Sequence, residues 1–261
     1  EGQDKSGRII SLQKGALVSG YIKDANGDPV SVEYDWQGKM CDGWADTDIE
    51  GHYEIRLPLG TYAIGLDLDD EGFTSLHQKV AIADINQPVD VNDITAYSEE
   101  TGGQISGDVN NPGGHSKTGE FIVIALEAET VVDCNTWYTI WPISVAGLGQ
   151  AGPFAITALP PDANYDVHLC VMSETAEGIE SLVVRDSVFD VPVGTTSIAL
   201  NYNSTGSTIT GSVENTDANA VLGASVLLTD SDTGSFTGFG DTDPNGEYVI
   251  YNVPAGTYTV T

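Results

Sequence analysis

Apolar and polar residues alternate along this chain in short runs separated by turn residues. Leu17-Val-Ser-Gly-Tyr-Ile22, Gln104-Ile-Ser-Gly-Asp-Val109 and Thr208-Ile-Thr-Gly-Ser-Val213 each place side chains on two faces at a period of two, the pattern of half-buried strands. All three hold a glycine inside the alternation. No helical period of useful length interrupts them. The nearest candidate, Glu174 to Arg185, contains Gly178 and the Val183-Val184 pair, which predict a loop followed by a strand.

A second phrase follows each opening strand. Thr47-Asp-Ile-Glu-Gly-His-Tyr-Glu-Ile-Arg-Leu-Pro-Leu-Gly-Thr-Tyr62 and Thr242-Asp-Pro-Asn-Gly-Glu-Tyr-Val-Ile-Tyr-Asn-Val-Pro-Ala-Gly-Thr-Tyr258 agree closely. Gly152-Pro-Phe-Ala-Ile-Thr-Ala-Leu-Pro-Pro-Asp-Ala-Asn-Tyr165 is a weaker version. Glu50-Gly51 and Asn245-Gly246 supply the positive-φ residue of a tight turn, expected to be a hairpin, and a strand led by Tyr53 or Tyr248 follows. The Pro-x-Gly-Thr-Tyr segments predict a second turn, and the expected local arrangement is a β-meander. Polar linkers at Ser98–Gly103 and Asn203–Ser207 precede the second and third opening strands. The boundaries that follow are an N-terminal extension over 1–14 and modules over 15–100, 101–204 and 205–261.

These phrases resemble the carboxypeptidase-regulatory-like and Cna-B-like modules, whose pattern runs G-x-V, N-G-x-P-V, T-D-x-x-G-x-Y, P-x-G-x-Y. The resemblance covers most of the first and third modules and the edges of the second. It implies an all-β chain of three tandem immunoglobulin-like, prealbumin-like β-sandwich modules, the last lacking its final strands. Such modules serve as stalks, spacers, adhesin parts and enzyme appendages, so the fold leaves the activity open. Members that form isopeptide bonds set a Lys and an Asn on neighbouring strands with an acid between them; Lys23, Lys39, Lys79 and Lys117 are the near candidates, and none is assigned.

Composition narrows the setting. Thirty-nine acidic against nine basic residues give a formal charge of -30, which repels phosphate backbones and anionic lipid surfaces, so nucleic acid and membrane-surface partners are not expected. No apolar run reaches the roughly 18 residues of a membrane span, and no basic leader precedes an apolar segment at Glu1, as in a processed, secreted chain. The three cysteines lack CxxC spacing. One disulfide plus one odd thiol is expected: Cys134 with Cys170, which share a module, leaving Cys41 free or bonded to another chain.

The two ends suggest a partner. From Ser207 the third module has about 55 residues where a sandwich of this type needs roughly 80 to 100. The segment Arg8, Ile9, Ile10, Ser11, Leu12 is apolar, β-prone and upstream of the first opening strand. One reading makes it a donor strand that completes the third module of the next subunit, giving a head-to-tail homopolymer in an extracellular fibre. The other makes it an ordinary first strand, with further modules following residue 261 in a longer adhesin or carbohydrate-binding stalk.

Candidate chemistry is sparse. Asp241, Asp243 and Asn245 repeat the D-x-D-x-N-G start of a calcium loop, Asp46, Asp48 and Glu50 echo it, and Asp24, Asn26, Asp28 and the run Asp67 to Glu71 add oxygen clusters. Asn252 and Leu57 stand where a calcium loop would place its bidentate Glu. The four histidines have no metal-ligand spacing, and no nucleophile elbow or phosphate loop is present. No catalytic residue and no cofactor other than calcium is assigned, and an enzyme is not expected. Trp36, Trp44, Trp137 and Trp141 suit either a core or a sugar-stacking platform; core is expected for Trp36 and Trp44, while the strand face shared by Trp137 and Trp141 is left open between inside and outside. Asn203-Ser-Thr205 is a glycosylation sequon in a linker.

Overall fold

A computed structural model describes residues 14–39, 41–66, 72–128, 144–175, 178 and 180–261. These residues form strands and turns, with no helix among them. The first module holds β1 (Ala16–Asp24), β2 (Glu33–Gly38), β3 (Gly43–Asp46), β4 (His52–Leu57), β5 (Gly60–Gly65), β6 (Phe73–Thr74), β7 (Gln78–Ile82), β8 (Val89–Asp90) and β9 (Ile94–Ser98). The second holds β10 (Gly103–Asn110), β11 (Glu120–Glu127), β12 (Ser144–Leu148), β13 (Pro153–Leu159), β14 (Asn164–Glu174), β15 (Glu180–Pro192) and β16 (Ile198–Asn201). The third holds β17 (Ser207–Ser212), β18 (Ser225–Asp230), β19 (Phe236–Asp241), β20 (Glu247–Val253) and β21 (Tyr258–Val260).

Strand order repeats. The first module pairs β4-β1-β9-β6 in one sheet, with β8 also on β1, and β3-β2-β5-β7 in the other. The second pairs β13-β10-β16 in one sheet and β12-β11-β14-β15 in the other. In both, the last strand runs parallel to the opening one, β9 along β1 and β16 along β10. The third module keeps β17-β20, while β19-β18-β21 joins β15 through Ser181–Val183, giving one seven-stranded sheet across the second and third modules. Val183 of β15 belongs to the third module's core.

The expected meander is corrected. β3 pairs with β2 whereas β4 pairs with β1, and β5 returns to β2. Both turns therefore carry the chain from one sheet to the other instead of closing hairpins. The turn at Gly51 is held to the opening strand by Ile22 N donating to Gly51 O at 2.8 Å, and Val213 N to Gly246 O repeats this at 2.8 Å. Gly51 at φ 71° and Gly246 at φ 75° occupy the left-handed region.

The recurrent threonine and aspartate of the turn phrase act on the backbone. Buried Thr47 donates to Val30 O and accepts from Val32 N, both at 2.9 Å. Thr242 does the same with Val221 O at 2.6 Å and Ala224 N at 2.9 Å. Tyr165 and Tyr258 end the second phrase by donating to the carbonyls of Pro160 and Pro254 at 2.7 and 2.8 Å. The glycine inside each opening strand also has a packing reason. A Cβ on Gly20 or Gly211 would meet the ring of the cross-strand Tyr53 or Tyr248, at 2.6 and 2.5 Å from the hydroxyl.

Cores follow the alternation. Val18, Ile22, Tyr53, Tyr62 and Ile94 anchor the first, and Ile105, Phe121, Tyr165, Leu169, Leu200 and Tyr202 the second. β11 is apolar from Phe121 to Leu126 because both of its faces are covered: Phe121, Val123 and Ala125 enter the main core, and Ile122 and Ile124 join Cys170 on the opposite face.

Candidate functional site

The acidic turns singled out in the sequence serve as turn caps. Asp243 Oδ1 accepts the backbone N–H groups of Asn245 and Glu247, both at 2.8 Å, and Oδ2 accepts from the Asn245 amide at 3.2 Å. Asp24 caps Asn26 and Asp28 at 2.8 and 2.9 Å, and Asp48 caps Glu50 and His52 at the same distances. Asn215 performs the task with an uncharged oxygen, accepting from Asp217 and Asn219. Asp241 lies apart from its turn and accepts from Ser225 Oγ at 2.7 Å. Among the described residues, no three acidic, His or Cys side chains converge as a cation cage. The run 67–71 lies outside the described residues.

These bonds favour the ionised carboxylate. Asp24 and Asp243 are held below the usual carboxylate range, chiefly by the N–H groups of Asp28 and Glu247, and Asp230 by that of Thr233. A carboxyl whose folded pKa is depressed adds stability that is complete above its unfolded value near 4 and is lost as pH falls through the folded value. Denaturant midpoints measured from pH 7 to pH 2.5 are therefore expected to fall below about pH 4. Asp24→Asn and Asp243→Asn, which copy Asn215, should flatten that limb; an unchanged limb would remove the capping carboxylates as its cause.

The other candidates scatter. Cys170 is a free thiol at 0% exposure, and burial pushes its pKa up; Cys41 is free and half-buried. Cys134, the expected partner of Cys170, lies outside the described residues, as do Trp137, Trp141 and the segment Arg8, Ile9, Ile10, Ser11, Leu12. Trp36 packs on Gly43 beside the first core, but Trp44 is 64% exposed on the edge strand β3, which corrects its expected core position. β3 pairs on one side only among the described residues. Lys23 meets Asp93 at 2.5 Å as a partly exposed ion pair. His168 Nδ1 and Ser187 Oγ, 2.7 Å apart, are cross-strand neighbours of β14 and β15. Asn203 is exposed beside Tyr202.

Open strand edges in the third module are the strongest feature. β1 and β10 are flanked on both sides, and so are β5 and β14. Their counterparts β17 and β21 each pair on one edge only among the described residues. Burial differs at four equivalent positions, although Ile250 and Val253 are as buried as their counterparts, at 0% and 1%. Val18 and Ile105 are at 0%, Ile22 and Val109 at 0% and 2%, Tyr53 and Phe154 at 1% and 5%, and Tyr62 and Tyr165 at 0%. The third-module equivalents Ile209, Val213, Tyr248 and Tyr258 are only half-buried. Neither the opening phrase nor the closing phrase differs enough to signal this.

Residues 208–261 match the carboxypeptidase regulatory-like domain family. The third module carries that family's pattern. None of the curated proteins matches the chain. Among solved structures, BcpA, the major pilin subunit of Bacillus cereus, is 12% identical, with 95% of this chain and 87% of that one covered and a TM-score of 0.27. A streptococcal ancillary pilin is 10% identical, with 94% and 89% covered and a TM-score of 0.24. A putative adhesin from Bacteroides ovatus is 9% identical, with 80% and 91% covered and a TM-score of 0.25.

Proposed function

We propose that this chain is a structural subunit of an extracellular filament or surface fibre, in which the third module is completed by a strand from a second copy. The supporting observation is the half-buried state of Ile209, Val213, Tyr248 and Tyr258 beside the open edges of β17 and β21. A strand edge over an uncovered core is a template for pairing, and apolar burial adds roughly 25 cal/mol per Å² to the main-chain hydrogen bonds formed there.

The complete modules state what fits. Leu200 of β16 lies opposite Val109 and Ile198 opposite Gly107, in parallel. Transferred to β17, this register calls for apolar residues opposite Val213 and Gly211, two positions apart. Ile10-Ser-Leu12 has that spacing, so Leu12 is assigned to Val213 and Ile10 to Gly211. The charge of -30 keeps unassembled subunits apart until a specific seam forms.

Negative-stain electron microscopy of the 261-residue chain beside a truncation lacking residues 1–13 tests the reading. Filaments from the intact chain alone, with growth blocked by a peptide of residues 7–13, support strand donation. Monomers from both, or filaments from both, overturn it. Exposed Trp44 on β3 favours a second reading, a sugar-binding stalk module; glycan-array binding lost in Trp44→Ala would support that one.

A further inference from the structure

The closing strands of the second and third modules contain one residue more than that of the first. Ile156-Thr-Ala-Leu159 and Ile250-Tyr-Asn-Val253 stand where the first module has Ile55-Arg-Leu57. The extra residue is a β-bulge. The register shifts between Gly103 and Ile105 in the β10–β13 ladder and between Ser207 and Ile209 in the β17–β20 ladder, whereas β1–β4 pairs without a shift. At each bulge a non-glycine residue takes a positive φ, Ala158 at 58° and Asn252 at 61°. A glycine of the preceding linker closes over it: a Cβ on Gly102 or Gly206 would lie 2.5 or 2.1 Å from the carbonyl carbon of Ala158 or Asn252.

A bulge leaves its extra residue outside the ladder, so its backbone carbonyl needs a partner from elsewhere. In both cases the partner comes from the preceding module. Thr74 Oγ1 of the first module, buried at 0%, donates to Ala158 O. Arg185 Nη1 of the second donates to Asn252 O at 2.5 Å, while its Nη2 holds Ser204 O at 2.7 Å. Each joint has further contacts. Leu76 packs against the second core and Thr157 Oγ1 donates to Glu99 at 3.1 Å. Asn252 exchanges bonds with Thr118, accepting from its N–H at 2.9 Å and donating to its carbonyl at 2.7 Å, and Arg185 lies 4.3 Å from the centre of the Tyr202 ring.

We propose that the bulge residue, Ala158 or Asn252, is the docking point by which a module receives the module before it, and that a side-chain donor on its carbonyl sets the angle between the two. The partner it fits is the end of an upstream β-sandwich that presents a hydroxyl or a guanidinium.

Hydrogen exchange of the full chain, read by mass spectrometry, tests this with Thr74→Val and Arg185→Ala. Amides around 156–159 should exchange about tenfold faster or more in Thr74→Val, and those around 250–253 and 207–209 in Arg185→Ala, the loss expected for a buried hydrogen bond. Peptides of β1, β4, β11 and β14 should be unchanged, and the maximum dimension from small-angle scattering should increase. Asn252→Gly keeps the positive φ and the carbonyl, so it should retain most of the protection that Arg185→Ala loses. Unchanged exchange at both joints overturns the proposal. So does a uniform acceleration throughout the chain, which would mark general loss of stability.

Discussion

Tyr202→Ala is expected to lower unfolding stability by about 3–5 kcal/mol, the range for removing a large buried aromatic side chain. Tyr202 is at 0% exposure in the second core, its ring meets Phe121 edge-on at 5.1 Å, and its hydroxyl donates to Ser116 O at 3.0 Å. The same ring carries the Arg185 guanidinium, a contact of about 0.5–2 kcal/mol depending on its desolvation. Truncation therefore opens a cavity in the second module and removes the support of the group that holds Asn252. Against a total stability of about 5–15 kcal/mol, this is a large share. Tyr202→Phe keeps the ring and loses one hydrogen bond, so about 1 kcal/mol is expected. Urea denaturation should rank the wild type above Tyr202→Phe and both well above Tyr202→Ala. Equal midpoints for the two variants would mean that the cavity term is absent and the core reading of Tyr202 is wrong.

Gly107→Val should destabilise the second module by about 3 kcal/mol or more, at the upper end of overpacking costs. A Cβ on Gly107 would stand 2.0 Å from Ile198 O and 2.7 Å from Ile198 C. These are backbone atoms of the partner strand, so no rotamer change relieves the clash. β16 must move away, and with it goes the parallel ladder from Gly107–Ile198 to Asn110–Asn201. Gly147→Ala is the matched control, since nothing lies within 4 Å of its Cβ position. Loss of the cooperative transition in Gly107→Val with Gly147→Ala unaffected is the expected thermal-melt result. A Gly107→Val melt like the control would mean that β16 does not lie against β10 as described.

Several features were legible in the chain because they depend on neighbours in sequence. Period-two alternation put Val18, Ile22, Ile105 and Val109 on buried faces. Turn chemistry located Gly51 and Gly246, which the structure places at positive φ. The acidic turns were visible as clusters, whereas the backbone N–H groups that Asp24, Asp48 and Asp243 accept became visible only in the structure.

Three decisions belonged to the tertiary structure. Whether a turn closes a hairpin or changes sheet depends on which partner the next strand finds, and alternation alone is the same in both cases. That is why the Gly51 and Gly246 turns were expected in a meander. The merging of the second and third modules into one sheet rests on the length of β15, whose residues Ser181–Val183 extend far enough to reach β19. The extra residue at Ala158 and Asn252 was present in the sequence as a one-residue difference between closing strands. Its meaning appeared only when the bulge turned a carbonyl toward a donor more than sixty residues away along the chain, Thr74 in one case and Arg185 in the other. Local pattern determined which residues become strands and which side of each is buried. Long-range pairing decided how those strands are distributed between sheets and where the modules touch, because hydrogen-bond partners across sheets and joints leave no periodic trace in the chain.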